Sequence, residues 1–125
     1  MSETRLLNLT RLEAGKRGAR VFRNQVGHYK LADGRRITSG LMPGSSDLIG
    51  WTEIEVTPDM VGRKVAVFTS LECKIPAWTP REKDKTWQGQ KAWLAAVRDS
   101  GGISGVVQAE SDVGLIIETY KKDKK

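Results

Sequence analysis

The feature that most constrains the fold is a strand–helix–strand order in the second half of the chain. Residues 64–75, KVAVFTSLECKI, are the most apolar stretch and are apolar on both faces at their start, which is typical of a central strand covered on both sides. A loop with two prolines and dense charge is predicted over 75–85, an amphipathic helix over 86–100 and a short strand over 104–110. A helix that crosses between two strands indicates an α/β sandwich rather than a helical bundle.

The rest of the chain adds shorter elements. The length of 125 residues is enough for one packed domain, which we expect to span 1–120, and the basic tail 121–125 is expected to be disordered. The further predicted elements are a helix over 3–16 that Ser2 caps, a strand over 19–24, a hairpin over 28–40 with a two-residue turn at Asp33-Gly34, a strand region over 47–56, a polar connection over 57–64 and a helix over 111–120 that Ser111 caps.

Charge and cysteine content narrow the class of partner and the compartment. The net charge is +6, and such an excess favours polyanionic partners, although it carries no information on the fold. No stretch has the apolar length of a membrane span, and the N-terminal residues lack the apolar core of a signal peptide, so no membrane association is expected. The single cysteine, Cys73, excludes an internal disulfide and a cysteine-rich zinc site. Together these features predict a cytoplasmic protein.

Three charged residues suggest chemistry. Along the predicted strand 64–75, Glu72 and Lys74 point to one side and Cys73 to the other, because alternate residues share a face. Buried charges cost free energy unless they are used or paired, and an exposed ion pair at the strand end is the alternative interpretation. Asp47 begins the preceding strand region. If the two strands are neighbours, Asp47 and Glu72 lie side by side, and a divalent cation would remove their repulsion.

Oxygen ligands of this kind suit a hard cation, Mg²⁺ or Mn²⁺. The backbone carbonyl of Cys73 can supply a third oxygen beside the carboxylates of Asp47 and Glu72. Lys74 can hold a water next to the metal or meet the negative charge that develops on a phosphate oxygen. The combination predicts hydrolysis of a phosphodiester.

Asp47, Glu72 and Lys74 match the D…ExK core of the PD-(D/E)xK nuclease superfamily. The wider sequence resembles more specifically the virus-type replication-repair nuclease (VRR-NUC) domain, in the stand-alone form of phages and bacteria, over nearly the whole chain. The segments that carry this resemblance are FRNQVG (22–27), GSSDLIGW (44–51), VAVFTSLECK (65–74), TWQGQKAWLAAVRDSGG (86–102) and GVVQAESD (105–112). The resemblance implies a restriction-endonuclease-like α/β core, in which helices flank a central mixed sheet.

The resemblance also implies roles for single residues. Gln90 corresponds to the helix glutamine beside the catalytic lysine, and Glu3 to a first-helix glutamate that joins the metal site, with Glu13 as the rival assignment. Ser46 stands where the superfamily pattern has a proline. Cys73 fills a variable position for which a small buried residue is enough.

The implied activity is a Mg²⁺- or Mn²⁺-dependent endodeoxyribonuclease that selects branched DNA by its structure. Because stand-alone members resemble dimeric junction resolvases, we predict Holliday-junction resolution by a homodimer. The alternatives are a flap-cleaving or general nicking nuclease and a non-catalytic DNA-binding module. Trp78 is interpreted as a core or loop anchor, with stacking on a base as the alternative. The residues predicted to contact DNA are Arg23, Asn24, Arg35, Arg36, Ser45 and Ser46.

Overall fold

The structure is a computed structural model that describes residues 2–122 of the chain. The fold is mixed α/β, as predicted: three α-helices and six strands are present among these residues, and the strands form three two-stranded sheets. The chain divides into two compact units, Met1–Val56 and Thr57–Lys125. The finer expectations, one domain over 1–120 and one central mixed sheet, stay predictions. Within the described part of the chain, no helix is both long enough and apolar enough to cross a membrane.

In the first unit, a helix packs against a two-stranded sheet. Helix α1 spans Glu3–Lys16, and the Ser2 hydroxyl caps it by accepting a hydrogen bond from the Arg5 amide at 3.1 Å, as predicted. Strand β1 (Ala19–Arg23) contacts α1 and pairs antiparallel with a strand at Leu48–Thr52, the fourth in chain order. A side chain at Gly50 would meet the Arg20 carbonyl oxygen across this pair, so the close approach requires glycine.

The predicted hairpin is present with a different turn. Strands β2 (Gly27–Lys30) and β3 (Arg36–Ser39) pair antiparallel. The strand at Leu48–Thr52, which follows them in the chain, is β4. The Leu31 amide donates to the Arg35 carbonyl at 2.8 Å, so three residues, 32–34, form the loop. The prediction of a two-residue turn was therefore wrong. Gly34 has a φ of 88°, the left-handed conformation that closes a three-residue hairpin loop.

The second unit contains the predicted strand–helix–strand crossover. After a short 3₁₀ helix at Pro58–Met60, strand β5 (Thr69–Cys73) leads to helix α2 (Lys85–Asp99) and strand β6 (Ile103–Val107). Strands β5 and β6 are parallel, and α2 packs against both. Helix α3 (Ser111–Lys122) packs against β6. The residues of α2 that are buried are Trp87, Leu94 and Val97, the three with helical spacing.

Several predicted boundaries and environments in this unit were wrong. Residues 64–68 lie outside β5, and exposure alternates along β5, because α2 covers only one face of the two-stranded sheet. These residues therefore do not form the predicted central strand that is covered on both sides. Helix α2 begins after Asp84 rather than at Thr86, and Ser111 lies inside α3. Helix α3 continues through Lys122, so part of the predicted tail is helical, and 123–125 lie outside the described residues.

The start of α2 gives a first testable prediction. The Asp84 carboxylate accepts hydrogen bonds from the amides of Thr86 and Trp87, at 2.9 and 3.4 Å. We expect Asp84→Ala to lower the free energy of unfolding by about 1 kcal/mol, the usual cost of losing an N-cap side chain. The exposed Thr86→Ala is the matched control and should change it by less than about 0.5 kcal/mol. Urea denaturation measures both, and an equal loss in the two variants would contradict the cap assignment.

Candidate active site

Lys74 and Gln90 are in direct contact. Lys74 follows the last residue of β5, and Gln90 lies in the second turn of α2. The Lys74 Nζ donates a hydrogen bond to the Gln90 Oε1 at 2.8 Å, and both residues are half-buried. The contact that the family resemblance implies is therefore present, because the crossover returns α2 over the end of β5. The catalytic roles of the two residues stay predictions.

Glu72 shares the face of β5 that α2 covers. Its neighbours on that face are Ser70, whose hydroxyl accepts from the Trp93 Nε1 at 2.8 Å, and Lys74, which contacts α2 through Gln90. Both Glu72 and Lys74 are half-buried, as the strand alternation predicts. A carboxylate and an ammonium thus lie two residues apart on one partly dehydrated surface, where electrostatic interactions are stronger than in open water.

The environment of the Cys73 side chain was predicted wrongly. The thiol was expected to be buried, but it is exposed, because it points to the face of β5 opposite α2. The direction of the Cys73 backbone carbonyl follows from the pairing of β5 with β6. Phe68 and Lys74 bond through their backbones to β6, and backbone groups of alternate residues face opposite sides of a strand. Phe68 and Lys74 are even-numbered residues, and Cys73 is odd-numbered. The Cys73 carbonyl therefore faces the edge of β5 away from β6.

Asp47 lies in the first unit, at the end of a loop formed by residues 41–47, here named the Asp47 loop. The Asn24 side chain holds this loop at three points. Its Nδ2 donates to the Ser45 hydroxyl and to the Ser46 carbonyl, both at 2.8 Å, and its Oδ1 accepts from the Leu41 amide at 2.8 Å. The Asn24 amide also donates to the Asp47 carbonyl at 2.8 Å. The Asp47 side chain itself is exposed at the start of β4.

These bonds change the interpretation of several predicted DNA contacts. Asn24 and Ser45 bond to each other, and Asn24 also bonds to the Ser46 carbonyl, so these polar atoms have partners within the first unit. Arg35 pairs with Asp33 at 2.7 Å on the surface, a contact worth little in stability. Arg23 and Arg36 are exposed on β1 and β3. Contact of any of them with DNA stays a prediction.

The two first-helix glutamates occupy different surroundings. Glu3 is exposed in the first turn of α1, and Glu13, in the last turn, pairs at 3.0 Å with Arg17, the C-cap residue that follows the helix. Both lie in the first unit with Asp47, whereas Glu72, Lys74 and Gln90 lie in the second. Strand β4, which Asp47 precedes, pairs with β1, and β5 pairs with β6. Pairing of the Asp47 strand with the Glu72 strand stays a prediction, as does the choice between the two glutamates.

The donor set fits a hard divalent cation by its chemistry. As predicted ligands, Asp47 and Glu72 would supply carboxylate oxygens and Cys73 a backbone carbonyl, the ligand types that Mg²⁺ and Mn²⁺ take. Among residues 2–122, no three His, Cys, Asp or Glu side chains form a group that could hold a metal ion.

Two residues near Lys74 were not predicted as part of the site. The Trp78 ring centroid lies 5.3 Å from the Lys74 Nζ, and the Gln108 side chain bonds to the backbone around Trp78. The sequence signal for Trp78 was a tryptophan four residues after Lys74, in a loop with prolines.

Comparison of the chain with models of protein families, with curated proteins and with solved structures found no match.

Proposed function

We propose that this protein is a Mg²⁺- or Mn²⁺-dependent endonuclease that hydrolyses phosphodiesters in branched DNA, and that it resolves Holliday junctions as a homodimer. The observation that carries the proposal is the hydrogen bond from Lys74 to Gln90, on the face of β5 that also carries Glu72. An ammonium restrained by a neutral amide oxygen keeps its charge available, whereas pairing with a carboxylate would neutralise it. This arrangement suits a group that must meet negative charge on a substrate.

Each residue has a proposed part in the reaction. Asp47 and Glu72 would hold the cation, with the Cys73 carbonyl as a further oxygen ligand. The bound ion would neutralise charge on the phosphate oxygens and make water a better nucleophile. Lys74 would stabilise the charge that grows on the phosphate as water attacks phosphorus and the bridging oxygen leaves. Gln90 would restrict the orientations of the Lys74 side chain, whose flexible stem otherwise has many rotamers.

The preference for junctions follows from symmetry and charge. One chain has a single proposed site, and resolution of a four-way junction requires cuts in two opposing strands. A two-fold homodimer supplies two sites in an arrangement that matches the approximate two-fold symmetry of the junction. The net charge of +6 per chain favours binding to the phosphate backbone without reading its sequence.

Cleavage of labelled DNA tests this proposal. We expect a four-way junction to be cut faster than a flap or a linear duplex, with Mg²⁺ or Mn²⁺ and not with EDTA. Light scattering should give twice the mass of the 13.9 kDa chain. On a cruciform plasmid, the two cuts should produce linear DNA without build-up of the nicked circle.

Other outcomes identify the alternatives. A monomer that cuts flaps faster than junctions would overturn junction resolution in favour of a flap nuclease. Binding of junction DNA without any cleavage, by protein that retains bound manganese, would overturn the nuclease itself and leave a DNA-binding module. A Glu72→Gln preparation, purified in parallel, controls for contaminating nucleases.

A further inference from the structure

The Lys74 ammonium is held by two groups from different parts of the second unit. Gln90, on α2, accepts its hydrogen bond at 2.8 Å. Trp78, in the loop between β5 and α2, places its ring centroid 5.3 Å from the same Nζ, within the range of a cation–π interaction. Since a lysine stem has several rotatable bonds, contacts on two sides restrict it far more than one contact does.

The position of Trp78 depends on packing and on its backbone. Its ring packs edge-on against Trp87, with centroids 4.8 Å apart and planes at 70°, and Trp87 is buried on α2. Its amide donates to the Ile75 carbonyl at 3.0 Å, which makes residues 75–78 a turn. The turn lies outside the strands, so its carbonyl groups are open to side-chain donors.

Gln108 supplies those bonds from the end of β6. Its side-chain Nε2 lies within donor distance of three carbonyl oxygens of the turn, at 3.3 Å for Ile75, 3.2 Å for Pro76 and 2.9 Å for Trp78. An amide has two N–H bonds, so these are shared among the three acceptors. One half-buried side chain thus binds the whole turn that carries Trp78.

Gln108 is itself fixed at both ends. Its backbone amide donates to the Asp112 Oδ2 at 2.9 Å, and the next amide, of Ala109, donates to the same oxygen at 3.1 Å. The preceding residue, Val107, accepts from the Lys74 amide at 2.9 Å. The end of β6 therefore holds the backbone of Lys74 directly and the ring above its ammonium through the turn.

We propose that Gln108 is a positioning residue for Lys74, and that it acts through Trp78. By binding the carbonyl groups of the turn, Gln108 keeps the indole over the ammonium and so keeps the Lys74 Nζ in one place. Without Gln108 the turn keeps only its internal bond between Trp78 and Ile75, the ring leaves the ammonium, and Lys74 gains rotamers that do not reach the substrate. The geometric part stands on the structure of the second unit, and only the effect on cleavage rests on the proposed function.

Gln108→Ala tests the proposal, and Gln88→Ala is its matched control. Gln88 also donates from its side chain to a loop carbonyl, that of Glu82 at 2.7 Å, which lies outside the turn 75–78. We expect Gln108→Ala to lower kcat about 10-fold or more with KM changed less than twofold, because small misplacements of a catalytic group are costly. Gln88→Ala should leave both within twofold. A tenfold loss in both variants, or in neither, would overturn the proposal.

A readout that needs no cleavage separates this inference from the proposed function. Protons next to the Lys74 Nζ, over an indole face, should resonate upfield in the NMR spectrum of the wild-type protein. Gln108→Ala should move them at least halfway back to the position of an ordinary lysine, and Gln88→Ala should not. An unchanged upfield resonance in Gln108→Ala would overturn the inference even if the enzyme were inactive for other reasons. If the wild-type protein shows the upfield shift, Gln108→Ala loses it and the wild-type protein cuts no DNA, only the nuclease is overturned.

Variants of Trp78 keep the proposal testable if Gln108→Ala folds poorly. Trp78→Phe retains a ring over Lys74 and should keep kcat within about threefold, whereas Trp78→Leu removes the ring and should resemble Gln108→Ala. Both leave Gln108 in place. Equal kcat values for the two would contradict a role of the ring.

Discussion

Replacement of Asp47 by Asn, or of Glu72 by Gln, is expected to lower the rate of DNA cleavage about 10³-fold. Each change would remove a charged oxygen ligand of the proposed cation, and a bound cation contributes several kcal/mol to the stabilisation of charge in the transition state. A loss of about 4 kcal/mol corresponds to three powers of ten in rate. The measurement is single-turnover cleavage of a labelled junction at saturating Mg²⁺.

The same variants should fold like the wild type. The Asp47 side chain is exposed. Asp47 contacts Asn24 through its backbone carbonyl, and this carbonyl is unchanged in Asp47→Asn. The control is Asp33→Asn, which alters an exposed aspartate in the hairpin loop paired with Arg35 and should change the rate less than twofold. Cleavage near the wild-type rate by either site variant would contradict the site assignment.

Lys74→Ala should produce the second largest effect, a loss of 10²-fold to 10³-fold in rate, while the protein still binds Mn²⁺. Removal of one preorganised group that stabilises transition-state charge costs about that much in other enzymes. Lysine is not a metal ligand, so the affinity for the ion should change little. Isothermal titration with Mn²⁺ and single-turnover kinetics on one preparation measure both quantities.

Lys91 provides the control for a neighbouring positive charge. It lies next to Gln90 on α2 and pairs with Glu82 at 2.7 Å on the surface. Lys91→Ala should keep the rate within about twofold, because an exposed ion pair contributes little. If Lys74→Ala folds normally but binds no Mn²⁺, the separation of metal ligands from the charge-stabilising lysine is wrong.

The helices could be predicted well because their signals are local. Ser2 caps α1, and the spacing of Trp87, Leu94 and Val97 identified the buried face of α2. The strand 64–75 was predicted too long, because strand length depends on a partner strand far along the chain, and apolar composition alone does not reveal where pairing stops. Asp84 and Thr86 are both good capping residues, so the sequence could not decide between them.

The candidate site was predictable in part for a similar reason. The contact between Lys74 and Gln90 was implied by the resemblance to the VRR-NUC domain. The contacts of Gln108 did not, because its partners are backbone carbonyls at least 30 residues away, and any residue type presents the same carbonyl. The bonds from Asn24 to the Ser46 carbonyl and from the Leu41 amide to Asn24 could not be predicted for the same reason, because these partners are also backbone groups.

The proposal that Asp47 and Glu72 bind one catalytic cation is tested most directly by calorimetric titration of Mn²⁺ into the wild-type protein, Asp47→Asn and Glu72→Gln. We predict one ion per wild-type chain and at least a tenfold weaker affinity in each variant, with Asp33→Asn unchanged. Wild-type affinity for Mn²⁺ in either site variant would contradict a metal site formed by these two carboxylates.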